Sequence, residues 1–128
     1  MKKTPTKEYQ CPLEATMSII GGKYKGIILG YLIGRTLRYN ELQKLIPQAT
    51  PKMLIQQLKE LEAHGIITRK LYPVVPPKTE YSLSQRGKTL TPIITALNLW
   101  GVQYLKEENI PCKYNLENLS QEAKELFK

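Results

Sequence analysis

Helical spacing of apolar residues dominates the first half of the chain. In "PLEATMSII", Leu13, Thr16, Met17 and Ile20 recur at helical intervals after Pro12, a residue suited to the first turn of a helix, and Gly21-Gly22 closes the segment. A second helix is expected in "KYKGIILGYLIG", where Tyr24, Ile27, Ile28, Tyr31 and Leu32 share a face apolar enough to be largely buried before Gly34 ends it. The short "RTLRY" reads as extended. Asn40 is placed to cap a third helix carrying Leu42, Leu45 and Ile46, which Pro47 must stop. Thr50 then caps a fourth, with Pro51 at its first position and Gly65 just past its end.

That fourth helix, "TPKMLIQQLKELEAHG", divides cleanly. At 100° per residue, Met53, Leu54, Gln57, Leu58 and Leu61 gather on one side, and Lys52, Ile55, Gln56 and Lys59 fall on the other. A capped helix separated from its predecessor by the tight turn "PQA" is the second half of a helix-turn-helix. Its outer face has chemistry for reading DNA: Lys reaches guanine edges or phosphate, Gln pairs with adenine, and Ile packs on a thymine methyl. Surface helices also carry Lys and Gln for solubility alone, so this face does not by itself name a partner.

Beyond Gly65 the pattern changes to strands. "IITRKLY" and "KTEYSL" are rich in strand formers, and "PVVPPK" between them is too long and too proline-rich for a two-residue hairpin. The prolines predict a stiff, projecting loop that loses little entropy when ordered on a partner, with Arg69, Lys70 and Lys78 at its base. A proline-rich hairpin tip without a partner is the plainer alternative. The full order is helix, helix, strand, helix, helix, strand, loop, strand. This is a winged helix-turn-helix: a mainly α fold with a small β-hairpin wing.

After Ser84, a plausible cap, "QRGKTLTPIITALNLWGVQYLKEE" puts Leu90, Ile93, Ile94, Leu97, Trp100, Tyr104 and Leu105 on one broad apolar face, with Pro92 expected to bend or restart the helix. Either this helix folds back over its own domain or it dimerises. In the second case Leu97, Trp100 and Tyr104, with Leu13 and Met17 of the first helix, form the seam. A last short helix is expected in "SQEAKELF". The organisation is thus one domain over residues 1–128, with an N-terminal helix (9–22), a winged helix-turn-helix core (23–88) and a C-terminal dimerisation helix and tail (89–128).

Composition narrows the functional classes. With 128 residues, 41% hydrophobic and 23% charged, the chain is an ordinary globular mixture, and no apolar run approaches the roughly 20 residues that span a bilayer. A cytoplasmic protein with no membrane partner is expected. The formal charge of +8 is concentrated: residues 23–88 hold twelve of the nineteen basic residues and only four acids. A basic folded surface suits a polyanion, although a high-pI protein without such a partner is compatible with composition alone. There is no Asp, the single His64 sits near a helix end, and "GGKYK" lacks the spacing of a phosphate loop, so no catalytic constellation can be assembled. Neither metal nor cofactor is expected. Cys11 is the one candidate for reactive chemistry, because it directly precedes the first helix and has Lys2, Lys3 and Lys7 nearby in sequence. A packing residue in a dimer core is the alternative, and sequence leaves its proximity to Cys112 open.

Three stretches, "CPLEATMSIIGGKYK", "RYNELQKLIPQATPKMLIQQLKELEAHGII" and "YPVVPPKTEYSLSQRG", together with "LNLW", resemble the HxlR-type winged-helix transcriptional regulators of bacteria, relatives of the MarR group. The resemblance covers roughly residues 9–106, in the family's order. Two positions depart from it: Tyr24 stands where Trp is usual, and Ile55 where a small hydroxyl residue is usual. The resemblance implies homodimeric binding to a pseudo-palindromic double-stranded operator, regulation of nearby genes, and in some members sensing of electrophiles or oxidants by an N-terminal cysteine. The DNA contacts expected are Thr50, Lys52, Ile55, Gln56 and Lys59 on the fourth helix, Lys78 in the wing, and Arg38 and Lys23 around them. The effector would be a small reactive molecule sensed at Cys11. The competing class is a winged-helix adaptor that holds an acidic protein on the same surface.

Overall fold

The computed structural model describes residues 8–113 and 116–126. Helix α1 (Pro12–Ile20) begins at the expected proline, with Cys11 as its extended N-cap. Helix α2 (Lys25–Leu32) is the central element of the core, and Ile28, Leu29, Tyr31 and Leu32 are all buried. Gly34 follows with φ 73°, a left-handed conformation that suits glycine.

Strand β1 (Leu37–Arg38) leads directly into helix α3 (Tyr39–Leu45). The cap of α3 is not Asn40, which lies inside the helix; Arg38 is the N-cap, and its backbone N–H donates to Glu41 Oε1 at 2.8 Å. A glutamate three residues into a helix reaches back to the cap more readily than Asn40 can reach forward, and the strand pairing of Leu37 and Arg38 fixes where the helix starts. Helix α4 (Pro51–Ala63) starts as expected: Thr50 Oγ1 accepts from the Met53 N–H at 3.1 Å, and Gly65 closes the far end at φ 74°.

Strands β2 (Ile67–Tyr72) and β3 (Lys78–Leu83) pair antiparallel from Ile67 opposite Leu83 to Tyr72 opposite Lys78. With β1 beside β3, through Leu37 opposite Tyr81, they form a three-stranded sheet of order β1-β3-β2. Ser84 caps only a four-residue helix, α5 (Gln85–Lys88), its Oγ accepting from the Gly87 N–H. Pro92 restarts the chain as α6 (Thr91–Glu107), since a proline is tolerated in a first turn and not in a helix interior. A Cβ at Gly87 would lie 2.0 Å from the Ile66 carbonyl oxygen, so only glycine lets α5 pass this close to the start of β2.

One core joins these elements. Leu42 from α3 and Ile46 at its C-cap, Leu54, Leu58 and Leu61 from α4, Ile67 from β2 and Ile28, Leu29 and Leu32 from α2 are at most 2% exposed. The segment after α6 returns to this core through a 3-10 turn (Leu116–Asn118) and helix α7 (Gln121–Leu126), burying Leu119 and Ala123. Its attachment is polar as well. Arg35 donates from Nη2 to the Asn118 carbonyl, and Ser120 Oγ donates to the Ile33 carbonyl. Nothing in the pattern of residues 116–126 announced that contact, because it is long-range and made mostly to backbone. Lys2, Lys3, Lys7 and Phe127 lie outside the described residues.

Candidate nucleic-acid interface

Everything about α4 is arranged to hold one side still and leave the other open. Leu54, Leu58 and Leu61 bury the inner side against the core, while Lys52, Ile55, Gln56 and Lys59 are exposed on the outer side, as the helical spacing predicted. The turn before α4 is tied at two points. Gln43 Nε2 donates to the Ala49 carbonyl at 2.9 Å, and Tyr24 Oη donates to the Gln48 carbonyl at 3.2 Å. Tyr24 also donates its backbone N–H to Gln57 Oε1 at 3.3 Å, so the α1–α2 turn grips both the helix-turn-helix corner and α4 itself. Rigid placement of this kind suits a surface that must match a groove.

The wing projects between β2 and β3. Val74 and Val75 are exposed at its tip, Val75 fully. Between the wing and α4 lies an open cleft of about 740 Å³ lined by Arg38, Ile55, Lys59, Arg69 and Lys78, with Tyr39 and Tyr81 below them. Its acid is Glu62, which pairs with Arg69 at 3.5 Å. Among the described residues, the side-chain cations of Arg38, Lys59 and Lys78 form no salt bridge. Lys78 and Lys70 instead flank the ring of Tyr72, each ammonium 4.9 Å from its centroid. Cations left uncompensated in a concave surface focus a positive potential outward, which draws a polyanion.

The structure therefore brings Arg38, Ile55, Lys59 and Lys78 together in the cleft, and places Lys52 and Gln56 beside Ile55 and Lys59 on the same face of α4. Thr50 is exposed, and its Oγ1 accepts from the Met53 N–H in capping α4, which leaves the hydroxyl proton free to donate. Lys23 stands apart from this cleft before α2, its ammonium 5.5 Å from the Tyr24 ring. Lys25, counted by charge with the basic surface, is buried at 5% exposure and pairs with Glu60. No local signal distinguishes it from the exposed lysines, because its partner is on α4. Burial pushes the Tyr81 phenol above its ordinary value and does the same for Tyr39, so both rings meet the cleft neutral. His64 is the C-cap of α4, with Nδ1 3.0 Å from the Glu60 carbonyl oxygen.

A second surface lies on α1 and α6. Leu13 is 68% exposed, Leu97 52% and Trp100 70%, and Met17 and Tyr104 are also exposed. The Trp100 and Tyr104 rings stack with centroids 5.6 Å apart. Ile94 and Thr95 turn inward and attach α6 to its own core. The fold-back alternative thus covers one side of α6 and leaves the Leu97–Trp100–Tyr104 side bare in the single chain. Cys11 and Cys112 are both free thiols and both exposed. Among the described residues no group of His, Cys, Asp and Glu could hold a metal ion, and no helix is long and apolar enough to cross a membrane.

Comparison with known proteins bears on the same elements. The model of the HxlR-like helix-turn-helix family matches residues 19–109, from the end of α1 to just past α6. An uncharacterized HTH-type transcriptional regulator of Bacillus subtilis (strain 168), YkvN, is 44% identical over 110 residues, covering 86% of this chain and 93% of that protein. A second from the same organism, YdeP, is 52% identical over 94 residues, 73% of each chain. The solved structure of the redox regulator HypR in its oxidized form superposes with a TM-score of 0.70 at 47% identity, covering 73% of this chain and 96% of that one. With its winged helix-turn-helix architecture, its family match and these relatives, the chain belongs to the HxlR-like helix-turn-helix family of transcriptional regulators.

Proposed function

We propose that this regulator binds a pseudo-palindromic DNA operator as a homodimer, with α4 in the major groove and the wing against the neighbouring backbone. The observation that carries the reading is the continuity of one surface: the exposed polar side of α4 runs directly into a cleft whose Arg38, Lys59 and Lys78 side chains form no salt bridge among the described residues. Lysines and arginines placed this way replace the counterions of phosphates, and Gln56 and Lys52 beside them reach base edges. The bare apolar side of α6, with Leu13 and Met17 of α1, supplies the dimer seam. A two-fold axis there sets two copies of α4 in successive major grooves about 34–36 Å apart.

A gel-shift titration at rising salt tests this reading against an adaptor that holds an acidic protein. A DNA-binding dimer gives a steep salt slope and a base preference. Weak binding indifferent to sequence favours the adaptor. Lys78→Ala is expected to weaken binding to all sequences alike and to reduce the magnitude of the salt slope by about one, through loss of one phosphate contact. An unchanged slope means that the wing does not touch DNA.

The signal enters, in this reading, at Cys11. It is exposed and forms the N-cap of α1, the helix that offers Leu13 and Met17 to the seam. An adduct or disulfide there changes how the two subunits meet, and so the spacing of the two reading helices. HypR, a redox regulator similar over most of its length, supports a reactive or redox signal in preference to a bound metabolite. Cys11→Ser is expected to bind the operator as the parent does and to stay bound when diamide releases the parent. A Ser variant that lets go equally assigns the switch elsewhere.

A further inference from the structure

The "GGKYK" turn, empty of phosphate-loop chemistry, has another use. Lys25 opens α2 with 5% of its surface exposed, and a buried ammonium needs a partner to offset the water it loses. Its partner is Glu60 on α4, with Nζ to Oε1 at 2.5 Å. The other carboxylate oxygen, Oε2, accepts from Gln56 Nε2 at 3.3 Å. A carboxylate only accepts hydrogen bonds, so it selects the amide nitrogen of Gln56 and turns the amide oxygen away. Gln56 Oε1 has no partner among the described residues, and Gln56 shares its face of α4 with Lys52 and Ile55.

We infer that Glu60, fixed by Lys25, is a positioning residue for base reading: it takes the amide nitrogen of Gln56 and leaves the amide oxygen toward DNA, so the base that Gln56 reads carries an exocyclic amino group. This role for Glu60 rests on α4 facing the bases, as proposed above. In the major groove adenine and cytosine present amino donors, whereas guanine and thymine present only acceptors at the corresponding edge. Adenine suits best, since the second amide N–H remains free to meet its N7. Freed from Glu60, the amide turns over and accepts either class. Hydrogen bonding and charge from Lys25, opposed by burial and aided by Gln56 and His64, hold the Glu60 carboxyl below its usual range. It is therefore an acceptor throughout the neutral range.

The test is selection of the full chain on randomised duplexes, followed by titration with the four base pairs at each selected position. The parent is expected to favour an amino-bearing base at one position by about tenfold or more. Glu60→Gln should reduce that preference to about threefold or less there and leave the other positions alone, and Gln56→Ala should erase it. In the double variant Glu60→Gln adds nothing to Gln56→Ala, as a residue acting only through another must behave. A preference kept in Glu60→Gln, or lost equally at every position, overturns the inference while leaving α4 as the reading helix. A parent without any base preference overturns both. Because Glu60→Gln leaves Lys25 with a neutral partner and can lower stability, the contact is also read in the unmodified protein. The side-chain amide nitrogen resonance of Gln56 should shift as Glu60 is protonated, with a midpoint below the ordinary carboxylate range, and an amide silent through that titration overturns the inference.

Discussion

A Leu97→Glu protein is expected to be a folded monomer that no longer holds its operator tightly. Leu97 is 52% exposed in the single chain, and the attachment of α6 to its own domain runs through Ile94 and Thr95, so a charge at 97 meets water in the monomer and costs its fold little. In a two-fold seam the same charge is buried twice, opposite apolar side chains that cannot pair it. Dimerisation is the step that fails. Each subunit offers one reading helix, so a monomer forfeits the second half-site; its affinity falls toward the non-specific level, typically about a thousandfold or more weaker than specific binding. Sedimentation measures the association state, circular dichroism the helix content, and gel shift the affinity. An unchanged dimer would place the seam elsewhere on the chain. Trp100, 70% exposed and stacked on Tyr104, should behave in the same direction on replacement by Ala, with its cost appearing in the dimer equilibrium and not in monomer stability.

Much of this architecture is legible without coordinates because its signals are local. Pro12, Thr50 with Pro51, and Gly65 mark helix ends by backbone chemistry, and the apolar stripe of α4 separates Leu54, Leu58 and Leu61 from Lys52, Ile55, Gln56 and Lys59 by simple periodicity. The prolines of "PVVPPK" likewise exclude a tight hairpin. What escapes is decided between elements. Asn40 has the right chemistry for a cap, but Arg38 is held there by strand pairing and by Glu41. Lys25 reads as one more surface charge, and only the approach of α4 turns it into a buried half of an ion pair. The tail shows the same limit: Ser120 and Asn118 meet α2 and the residues that follow it across more than eighty positions of sequence, a distance at which no local spacing carries information. Of the basic candidates, Arg38 and Lys78 line the cleft and Lys23 does not, a difference that no local spacing in the sequence carries.

Leu58→Ala is expected to give the opposite dissociation of effects, a large loss of stability with little change in the operator complex at moderate temperature. Leu58 is 1% exposed, in the middle of the inner face of α4, among the side chains that join this helix to the rest of the core. Truncation removes a methine and two methyl groups and leaves a cavity that the close-packed core around it fills only in part. The cost for such a change is about 2–5 kcal/mol, out of a total that for domains of this size is on the order of 5–15 kcal/mol. The backbone of α4 keeps its Thr50 cap and its ties to Gln43 and Tyr24 through the preceding turn, so the folded fraction still presents Lys52, Gln56 and Lys59 to a groove. Chemical denaturation should therefore show a markedly lower midpoint with an unchanged slope. Gel shift below the melting range should show an affinity within a few-fold of the parent once the folded fraction is taken into account. If operator binding collapses while the protein remains folded, the inner face of α4 does more than support the helix, and the separation of a packing side from a reading side fails.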